Sequence, residues 1–412
     1  MPSSLLIPRP RYDAVLDSSI DSPAIKVLSG VRRCGKSTLL LMLAQRLRAK
    51  GVPPQNILYR KLDSFDTPLA PDAAWLEGQI LEALSQRDPA QPFFLFLDEV
   101  QEVAGWEKVL RRAHTERVAS IFLTGSNAFL LSSDLATYLS GRYVEIPVFP
   151  LSFEEYLAFS GATGNEQSAE ALLARYIRYG GMPSLFEMGA FDQDRIYREL
   201  TAIHDTVILN DVARRFELRD ADLLEKLVRY VYATSGNLFS SRKIADALTS
   251  AGRKTNVTTV DAYLNALERA FLLMPCEQVG IGGKQVLRPL RKLYAPDTGL
   301  RNREIGFATR DLGFQLESVV FCELVRRGYD VQIGANKTGE IDFVATRRDE
   351  KLYIQVSDTI TSEETLKREE ASLLSINNAF PKIILTRDAL TWGITPEGIR
   401  IQGFAEWLLE NE

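Results

Sequence analysis

The chain has 412 residues, of which 45% are hydrophobic and 25% are charged, and its formal net charge at pH 7 is −5. This length exceeds what one hydrophobic core supports, so we expect two or three domains of an ordinary globular protein. The acidic balance excludes a protein that binds nucleic acids through its overall charge, so any such surface must be a local basic patch.

The N-terminal residues 1–13 contain neither an uninterrupted apolar region nor a cleavage site, so we expect no secretory signal. The longest apolar runs are far shorter than the ~20 residues that a membrane-spanning helix needs. We therefore expect a cytoplasmic protein without a membrane partner. The few cysteines and histidines lack the spacing of a disulfide framework or a zinc site. They are Cys34, Cys276, Cys322, His114 and His204.

Residues 24–149 alternate strand and helix signals, which is the pattern of a parallel sheet with crossover helices. The apolar segment 37–50 and the segment 75–86 are predicted to be helices. This pattern predicts an α/β fold for the first part of the chain. The five predicted strands are residues 25–28, 56–62, 93–97, 120–124 and 143–148.

Between the first strand and the first of these helices, the sequence GVRRCGKS at residues 30–37 matches the phosphate-binding pattern GxxxxGK[ST]. Gly30 and Gly35 allow the backbone to curl so that successive N–H groups face phosphate oxygens. Lys36 would reach the β- and γ-phosphates, and the Ser37 hydroxyl would hold Mg²⁺. An ordinary glycine turn is the alternative. The predicted nucleotide-binding residues are Gly30, Arg33, Cys34, Gly35, Lys36, Ser37 and Thr38.

The apolar strand 93–97 is followed by two carboxylates, Asp98 and Glu99. In a buried parallel sheet, they would lie at the carboxyl edge beside the phosphate loop. We expect Asp98 to hold the Mg²⁺ hydration shell and Glu99 to orient and deprotonate the attacking water. A solvated acidic turn is the alternative.

Two further residues are candidates for the same site. Asn127, or else Ser126, follows the strand 120–124 and could bind the γ-phosphate or the attacking water, although Ser-Asn also favours a simple turn. Arg142 precedes the fifth strand and could stabilise charge on the γ-phosphate, in its own subunit or across an interface. A surface salt bridge is the alternative for Arg142.

Residues 151–200 read as helices only and predict a small helical lid. From about residue 220, helical segments at 223–233, 241–248 and 258–272 precede a predicted β-wing at 274–294, which is a winged-helix outline. Its basic residues fit phosphate contacts with DNA without base reading, or else a solvated face of a protein-interaction module. They are Arg242, Lys243, Arg253, Lys254, Lys284, Arg288, Arg291 and Lys292.

The last part of the chain again predicts an α/β unit. Helices are expected at residues 314–327 and 362–376, and strands at 329–333, 341–346, 352–356 and 382–386. The whole pattern divides the chain into a nucleotide-binding core at 1–150, a lid and linker at 151–219, a winged-helix-like unit at 220–299 and a C-terminal unit at 300–412.

The ordered segments GVRRCGKST, FLDEVQEVAGWEKVLR, FLTGSNAFLLS and LSGRYVEIPVFPLSFEEYL resemble a family of prokaryotic AAA+ superfamily ATPases with a C-terminal domain of unknown function. The tail resembles the same family through YGGMPSL, LYAPDTGL, LESVVFCEL, GEIDFV and YIQVS. This resemblance implies ATP as the nucleotide, Asn127 as a sensor and Arg142 as an arginine finger. It also implies a homo-oligomeric ring, with a hexamer expected.

The C-terminal unit looks like a PD-(D/E)xK nuclease core, which uses clustered carboxylates, a divalent metal and a lysine. Glu317 and Asp342 fit two of the carboxylate roles, and the amide of Gln355 can stand in for the third. Ser357 stands where the lysine is expected, with Lys337 as a possible replacement. We therefore expect a fold without cleavage activity that is kept for binding or assembly, and an unrelated α/β domain is the alternative.

Three functions fit these observations. The first is an oligomeric ATPase that couples ATP hydrolysis to DNA or partner binding, the DNA through residues 240–292. The second is a nucleotide-gated signalling or defence switch with slow hydrolysis, and the third is a DNA-binding adaptor that holds ATP structurally. Glu99 argues against the third, because a pure binder needs no water-activating base. An ATP-dependent nuclease is a further alternative.

Overall fold

The computed structural model describes residues 6–125, 139, 141–164, 167–187, 192–214, 216–218, 220–280, 290–308, 311–335 and 339–410. It divides into two compact units. The first comprises residues 1–149 and 206–215, and the second comprises residues 150–205 and 216–412. None of the described helices is long and apolar enough to cross a membrane.

The first unit is a five-stranded parallel sheet in the order β2-β3-β4-β1-β5. β1 and β3 are buried along their whole length, as expected for central strands that are covered on both faces. The strands are β1 (Ile25–Ser29), β2 (Ile57–Lys61), β3 (Phe94–Asp98), β4 (Ser120–Thr124) and β5 (Tyr143–Pro147). All five predicted strands are therefore confirmed to within two residues.

Helices cover this sheet because their apolar faces pack against the strands. Trp106 and Leu110, both fully buried on one helix, belong to the same core as Leu95 and Leu97 of β3. A π-helix at Val207–Arg214 also belongs to this unit. The α-helices are α1 (Pro10–Ser18), α2 (Lys36–Ala49), α3 (Ala73–Gln86) and α4 (Trp106–Thr115).

The second unit begins with helices, as predicted for the lid. α5 (Phe153–Ala162) starts with a capping box in which Ser152 and Glu155 exchange hydrogen bonds. α6 (Ala169–Tyr179) and α7 (Gln193–Thr206) follow, and Thr206 itself belongs to the first unit.

Three more helices precede a β-hairpin. Asp220, Ser240 and Asn256 cap α8, α9 and α10, each accepting a backbone N–H of the first turn. The helices are α8 (Ala221–Ala233), α9 (Ser241–Ser250) and α10 (Val257–Arg269), and the hairpin strands are β6 (Met274–Gly280) and β7 (Arg291–Tyr294).

The remaining elements form one mixed eight-stranded sheet with helices against it, in the strand order β12-β13-β11-β10-β9-β8-β6-β7. The hairpin β6–β7 is part of this sheet because β6 pairs in parallel with β8. The elements are α11 (Thr298–Ile305), α12 (Leu312–Arg326), β8 (Asp330–Ala335), β9 (Glu340–Arg347), β10 (Glu350–Ile360), α13 (Glu363–Leu374), β11 (Lys382–Ala389), β12 (Gly393–Ile394), β13 (Arg400–Gly403) and α14 (Phe404–Leu409).

Candidate functional site

The loop between β1 and α2 has the curled backbone that its glycines predict. Gly30 has a φ of 142°, and a Cβ atom there would lie 2.1 Å from the carbonyl oxygen of Val148. Gly35 has a φ of 101° and Arg33 a φ of 65°, both in the left-handed region. Any side chain at position 30 would therefore displace the loop from the strand edge.

Lys36 lies at the first position of α2 with its side chain buried in the loop. Its ammonium donates hydrogen bonds to the carbonyl oxygens of Gly30, at 2.8 Å, and Val31, at 3.1 Å. The positive charge is thus held inside the curve of the loop, next to the N-terminus of α2, which itself carries a partial positive charge. This is an arrangement that attracts phosphate groups.

Ser37 and Asp98 come together from distant parts of the sequence. The Ser37 hydroxyl donates to Asp98 Oδ1 at 2.8 Å, and the Asp98 side chain is fully buried at the end of β3. Burial raises the pKa of Asp98, while hydrogen bonds from Thr124 and Ser37 act in the opposite direction. Asp98 Oδ2 is buried and has no hydrogen-bond partner among the residues that the structure describes. A buried carboxylate with a free oxygen beside a hydroxyl fits the oxygen ligands that Mg²⁺ prefers.

Glu99 follows directly, with a φ of 57° that turns the chain sharply after β3. Its N–H donates to Thr124 Oγ1 at 2.9 Å, and its Oε2 accepts a hydrogen bond from the Gln101 amide at 2.6 Å. Thr124 also donates to Asp98 Oδ1 and therefore positions both acids. This role of Thr124 was not predicted from the sequence, although a polar residue at the end of an apolar strand beside β3 is a signal for it.

Arg9 is a second residue at the phosphate loop that no sequence motif indicates. Its guanidinium donates to the carbonyl oxygens of Cys34 and Phe149, both at 3.0 Å, and stacks over the Tyr12 ring at 4.4 Å. Arg9 is almost fully buried, which is rare for an arginine without a structural role. Arg9, which directly precedes α1, therefore connects the phosphate loop to the segment that follows β5.

The other predicted residues do not join this cluster. Ser126 and Asn127 lie outside the described residues. Arg142 immediately precedes β5, whose Tyr143 pairs with Ile25 at the start of β1. Because the phosphate loop follows the other end of β1, Arg142 is separated from it by the length of the strand, on the order of 15 Å. The structure thus does not bring Arg142 to the phosphate loop of its own chain.

In the second unit, Glu317 of α12 and Asp342 of β9 lie together, and the Gln355 side chain accepts the Asp342 N–H at 3.3 Å. Ser357 stands at the position expected for a lysine, but a lysine from another part of the chain joins this cluster. Lys292, from β7, has its ammonium 3.1 Å from Glu317 Oε2 and 3.7 Å from Asp342 Oδ1. The nuclease sequence pattern did not identify Lys292, because this lysine comes from a strand that precedes both acids in the chain. Lys337 lies outside the described residues.

The charges in this cluster perturb one another. Burial raises the pKa values of Glu317 and Asp342 above their ordinary range. Burial by itself would lower the pKa of Lys292, but the surrounding carboxylates raise it overall. Ser357 is also buried, and its hydroxyl donates to the carbonyl oxygen of Thr359 at 3.4 Å.

In the described part of the region 240–292, fewer of the predicted DNA-contacting basic residues are exposed and unpaired than the sequence suggests. Lys292 is buried and cannot contact DNA, which corrects its assignment to a basic wing. Arg253 forms an ion pair with Asp220, and Arg291 with Glu268. Arg242, Lys243 and Lys254 are exposed, whereas Lys284 and Arg288 lie outside the described residues.

All three cysteines, Cys34, Cys276 and Cys322, are buried and carry free thiols. The two histidines are in different surroundings. His204 is buried beside Asp205 and Glu304, whose nearest oxygens lie 3.4 Å and 3.8 Å from its ring nitrogens. His114 lies on α4 in the first unit.

Two family models match successive parts of the chain. A family model described as an AAA domain matches residues 22–157, and one described as a domain of unknown function (DUF8612) matches residues 170–311. An uncharacterized protein of Haemophilus influenzae is 36% identical over 408 residues, covering 99% of this chain and 100% of that protein. The uncharacterized protein MJ1544 of Methanocaldococcus jannaschii is 29% identical over 406 residues, covering 93% and 88%.

Among solved structures, a Walker-type ATPase of Pyrococcus abyssi is similar with a TM-score of 0.48 and 16% identity, covering 72% of this chain and 95% of that one. AMPPCP-bound DnaA of Aquifex aeolicus is similar with a TM-score of 0.35 and 15% identity, covering 65% and 92%.

Proposed function

Because this chain belongs to the family of AAA-domain P-loop proteins that includes the uncharacterized Haemophilus influenzae protein, we propose that it binds ATP and hydrolyses it with Mg²⁺. The observation that supports this most directly is the contact between Ser37 and Asp98. A hydroxyl from the phosphate loop lies 2.8 Å from a buried carboxylate whose second oxygen has no partner in the described part of the chain. Ser37 directly follows Lys36 in the first turn of α2, and the Lys36 ammonium is held by the carbonyl oxygens of the same loop.

Each residue then has a distinct task. Lys36 exchanges its hydrogen bonds with the loop carbonyls for phosphate oxygens, and the loop N–H groups bind the same phosphates. Ser37 and Asp98 hold Mg²⁺, which when bound neutralises the charge that develops on the phosphates. Glu99, fixed through Thr124 and Gln101, orients the attacking water and accepts its proton. Asn127 is the proposed sensor of the γ-phosphate.

Two substitutions test this assignment. In Lys36→Ala, the charge that binds the phosphates is lost, so ATP affinity should fall below detection. In Glu99→Gln, the metal and phosphate ligands remain, so ATP should still bind while the turnover rate falls by about 10²–10⁴-fold. The measurements are the binding of a fluorescent ATP analogue and steady-state phosphate release.

Lys108→Met is the matched control, because this exposed lysine of α4 lies outside the cluster. It should bind and hydrolyse ATP like the wild type. Normal hydrolysis by Glu99→Gln would show that another residue is the base. No turnover by the wild type would instead favour an adaptor that holds ATP structurally.

We propose further that the enzyme works as a homo-oligomeric ring, with Arg142 acting on the neighbouring subunit. The distance along β1 supports this choice, because it removes Arg142 from its own phosphate loop. A hexamer is the expected form.

DNA is the proposed partner of the region 240–292, which contains α9, α10, β6 and the start of β7 and which, together with the preceding α8, follows a winged-helix outline. The exposed Arg242, Lys243 and Lys254 support contacts to phosphates. Arg253 and Arg291 each form an ion pair with an acidic residue of the chain, which limits the number of basic residues left for such contacts. The ATPase assay with and without DNA separates the candidate functions. Stimulation by DNA favours an ATPase that acts on DNA, and slow unstimulated turnover favours a nucleotide-gated switch.

The C-terminal unit is proposed to resemble a nuclease core that does not cleave. The ground for this differs from the sequence argument, because a lysine is present but is already bound to the carboxylates. Mg²⁺- or Mn²⁺-dependent DNA cleavage that is lost in Asp342→Ala would contradict this proposal.

A further inference from the structure

The carboxylates of the C-terminal cluster surround the ammonium of Lys292. Its Nζ atom lies 2.6 Å from Glu340 Oε1, 3.1 Å from Glu317 Oε2 and 3.7 Å from Asp342 Oδ1. The Lys292 side chain is only 3% exposed. One positive charge therefore lies at the meeting point of three carboxylates, two of them on β9 and one on α12.

Other groups of the chain bind the same carboxylates. The Tyr294 hydroxyl donates to Glu317 Oε2 at 3.0 Å, and the backbone N–H of Val356 donates to Asp342 Oδ2 at 2.9 Å. Both Tyr294 and Lys292 belong to β7, so this strand supplies two donors to the cluster. Hydrogen-bonded donors of the chain thus occupy carboxylate oxygens that a metal ion would otherwise bind.

We propose that the Lys292 ammonium is the resident cation of this cluster and takes the position that a divalent metal ion would occupy. A divalent ion on these same oxygens would lie so close to the Lys292 ammonium that the two cations would repel each other strongly in a buried site. The unit therefore folds without a metal, and removing the ammonium exposes a latent site for Mn²⁺ or Mg²⁺.

The position of Lys292 gives this ammonium a structural task as well. β7 pairs with β6 and β6 with β8, so Lys292 lies on the outermost strand at one end of the eight-stranded sheet. Its ion pairs connect that strand to α12 and β9. The proposal is independent of the ATPase function, because every residue it uses lies in the second unit.

Lys292→Met in the full-length protein tests this inference without nucleotide. Removing one partner of a buried ion pair is strongly destabilising, so the melting temperature in EDTA should fall by several degrees. Mn²⁺ should restore the melting temperature of Lys292→Met. This variant should also bind one more Mn²⁺ ion per chain than the wild type, as measured by the electron paramagnetic resonance of free Mn²⁺. The wild-type melting temperature should be the same in EDTA and in Mn²⁺.

Lys367→Met, which removes an exposed lysine of α13, is the matched control and should melt like the wild type under both conditions. The triple variant Lys292→Met, Glu317→Gln, Asp342→Asn neutralises the cluster. It should recover stability in EDTA and lose the response to Mn²⁺.

If Lys292→Met does not fold, the triple variant decides the question, because its folding supports the neutralising role of the ammonium and its failure contradicts it. Three other results would overturn the proposal. They are a wild-type response to Mn²⁺ that disappears in Asp342→Asn, an unchanged melting temperature of Lys292→Met in EDTA, and a folded Lys292→Met that binds no additional Mn²⁺.

Discussion

Lys26 is a lysine in the middle of the apolar strand β1. It is 1% exposed, its ammonium donates to the Ser22 carbonyl oxygen at 2.9 Å and to Ser120 Oγ at 2.8 Å, and it lies 4.6 Å from the Phe122 ring centre. Burial lowers the pKa of Lys26 from 10.5 to about 8, and attraction by Asp21 opposes this shift only in part. The charge on Lys26 is therefore a cost to the folded state at neutral pH.

The lowered pKa predicts a specific pH dependence of stability. Between about pH 8 and pH 10.5, the unfolded chain binds more protons at this position than the folded chain. The free energy of unfolding should therefore rise with pH through this window. Lys26→Met removes the buried charge and should raise the free energy of unfolding at pH 7 by about 1–3 kcal/mol.

The measurement is urea unfolding of Lys26→Met and the wild type from neutral to alkaline pH. The difference between the two proteins should shrink as the pH rises, because the wild-type lysine loses its charge. Lys108→Met, which changes an exposed lysine, should show no such trend. A difference that stays constant with pH would mean that packing rather than charge sets the stability of the variant.

The residues of the two clusters divide by whether a local sequence pattern identifies each of them. Lys36, Ser37 and Asp98 could be predicted, because a local spacing or the end of an apolar strand identifies each one. Arg9 and Lys292 could not, because no local pattern connects them with their partners. A buried arginine or lysine acquires its role only from the tertiary fold.

At the scale of elements, the motifs YGGMPSL and LYAPDTGL contact each other where α6 ends and α11 begins, and we call this contact the joint between α6 and α11. Asp297, the N-cap of α11, accepts the N–H of Leu300 at 3.0 Å and that of Gly181 at 2.7 Å. Burial raises the pKa of Asp297 to about 6. Gly180 has a φ of 77°, and a Cβ atom there would lie 2.1 Å from Asp297 Oδ1. The motifs YGGMPSL and LYAPDTGL are thus in contact through one carboxylate.

Gly180→Ala should break this joint. The new methyl group would meet the Asp297 carboxylate in a backbone conformation that only glycine adopts easily, which should lower the free energy of unfolding by about 2–4 kcal/mol. Gly161→Ala is the matched control, since a Cβ atom at this helical position meets nothing within 4 Å. It should leave stability unchanged or raise it by about 0.5–1 kcal/mol.

The two variants are compared by thermal unfolding followed by circular dichroism. If Gly180→Ala changes the free energy of unfolding no more than Gly161→Ala does, the Asp297 carboxylate can move away from the new methyl group without a loss of stability. In that case the joint between α6 and α11 would be more adaptable than its geometry indicates.

The elements themselves were largely predictable from local pattern. The central strands β3 and β4 are short apolar runs, and each helix of the region 221–269 has a capping side chain at its start. The pairing of β6 with β8 was not predictable, because it joins strands about fifty residues apart without a periodic signal. β12, β13 and α14 were missed because they are only two to six residues long.

At the scale of the whole molecule, the chain passes twice between its two units after residue 150. Thr206–Arg215 returns to the first unit, where Val207, Ile208 and Val212 are buried. Arg32 of the phosphate loop lies 4.0 Å from Asp211 of this segment. A segment that the sequence inserts between two parts of the second unit thus belongs to the first unit and approaches the phosphate loop.

The location of Arg142 leads to the last prediction, which concerns the assembled protein. If Arg142 completes the site of a neighbouring subunit, Lys36→Ala and Arg142→Ala lose activity for different reasons. Each should hydrolyse little ATP by itself. In a mixed oligomer, an Arg142→Ala subunit provides an intact phosphate loop and its Lys36→Ala neighbour provides the intact arginine, so complete sites form again.

Mixing the two inactive proteins should therefore restore part of the wild-type ATPase rate, with the largest gain at equal amounts. A mixture of Lys36→Ala with Glu99→Gln is the control, because both substitutions damage the same half of the site that the phosphate loop forms. In that mixture every nucleotide site contains either the Lys36→Ala or the Glu99→Gln substitution. No complete site can form, so the ATPase rate should stay low. If the first mixture also stays inactive although the subunits exchange, as followed by fluorescence energy transfer, Arg142 does not act across an interface.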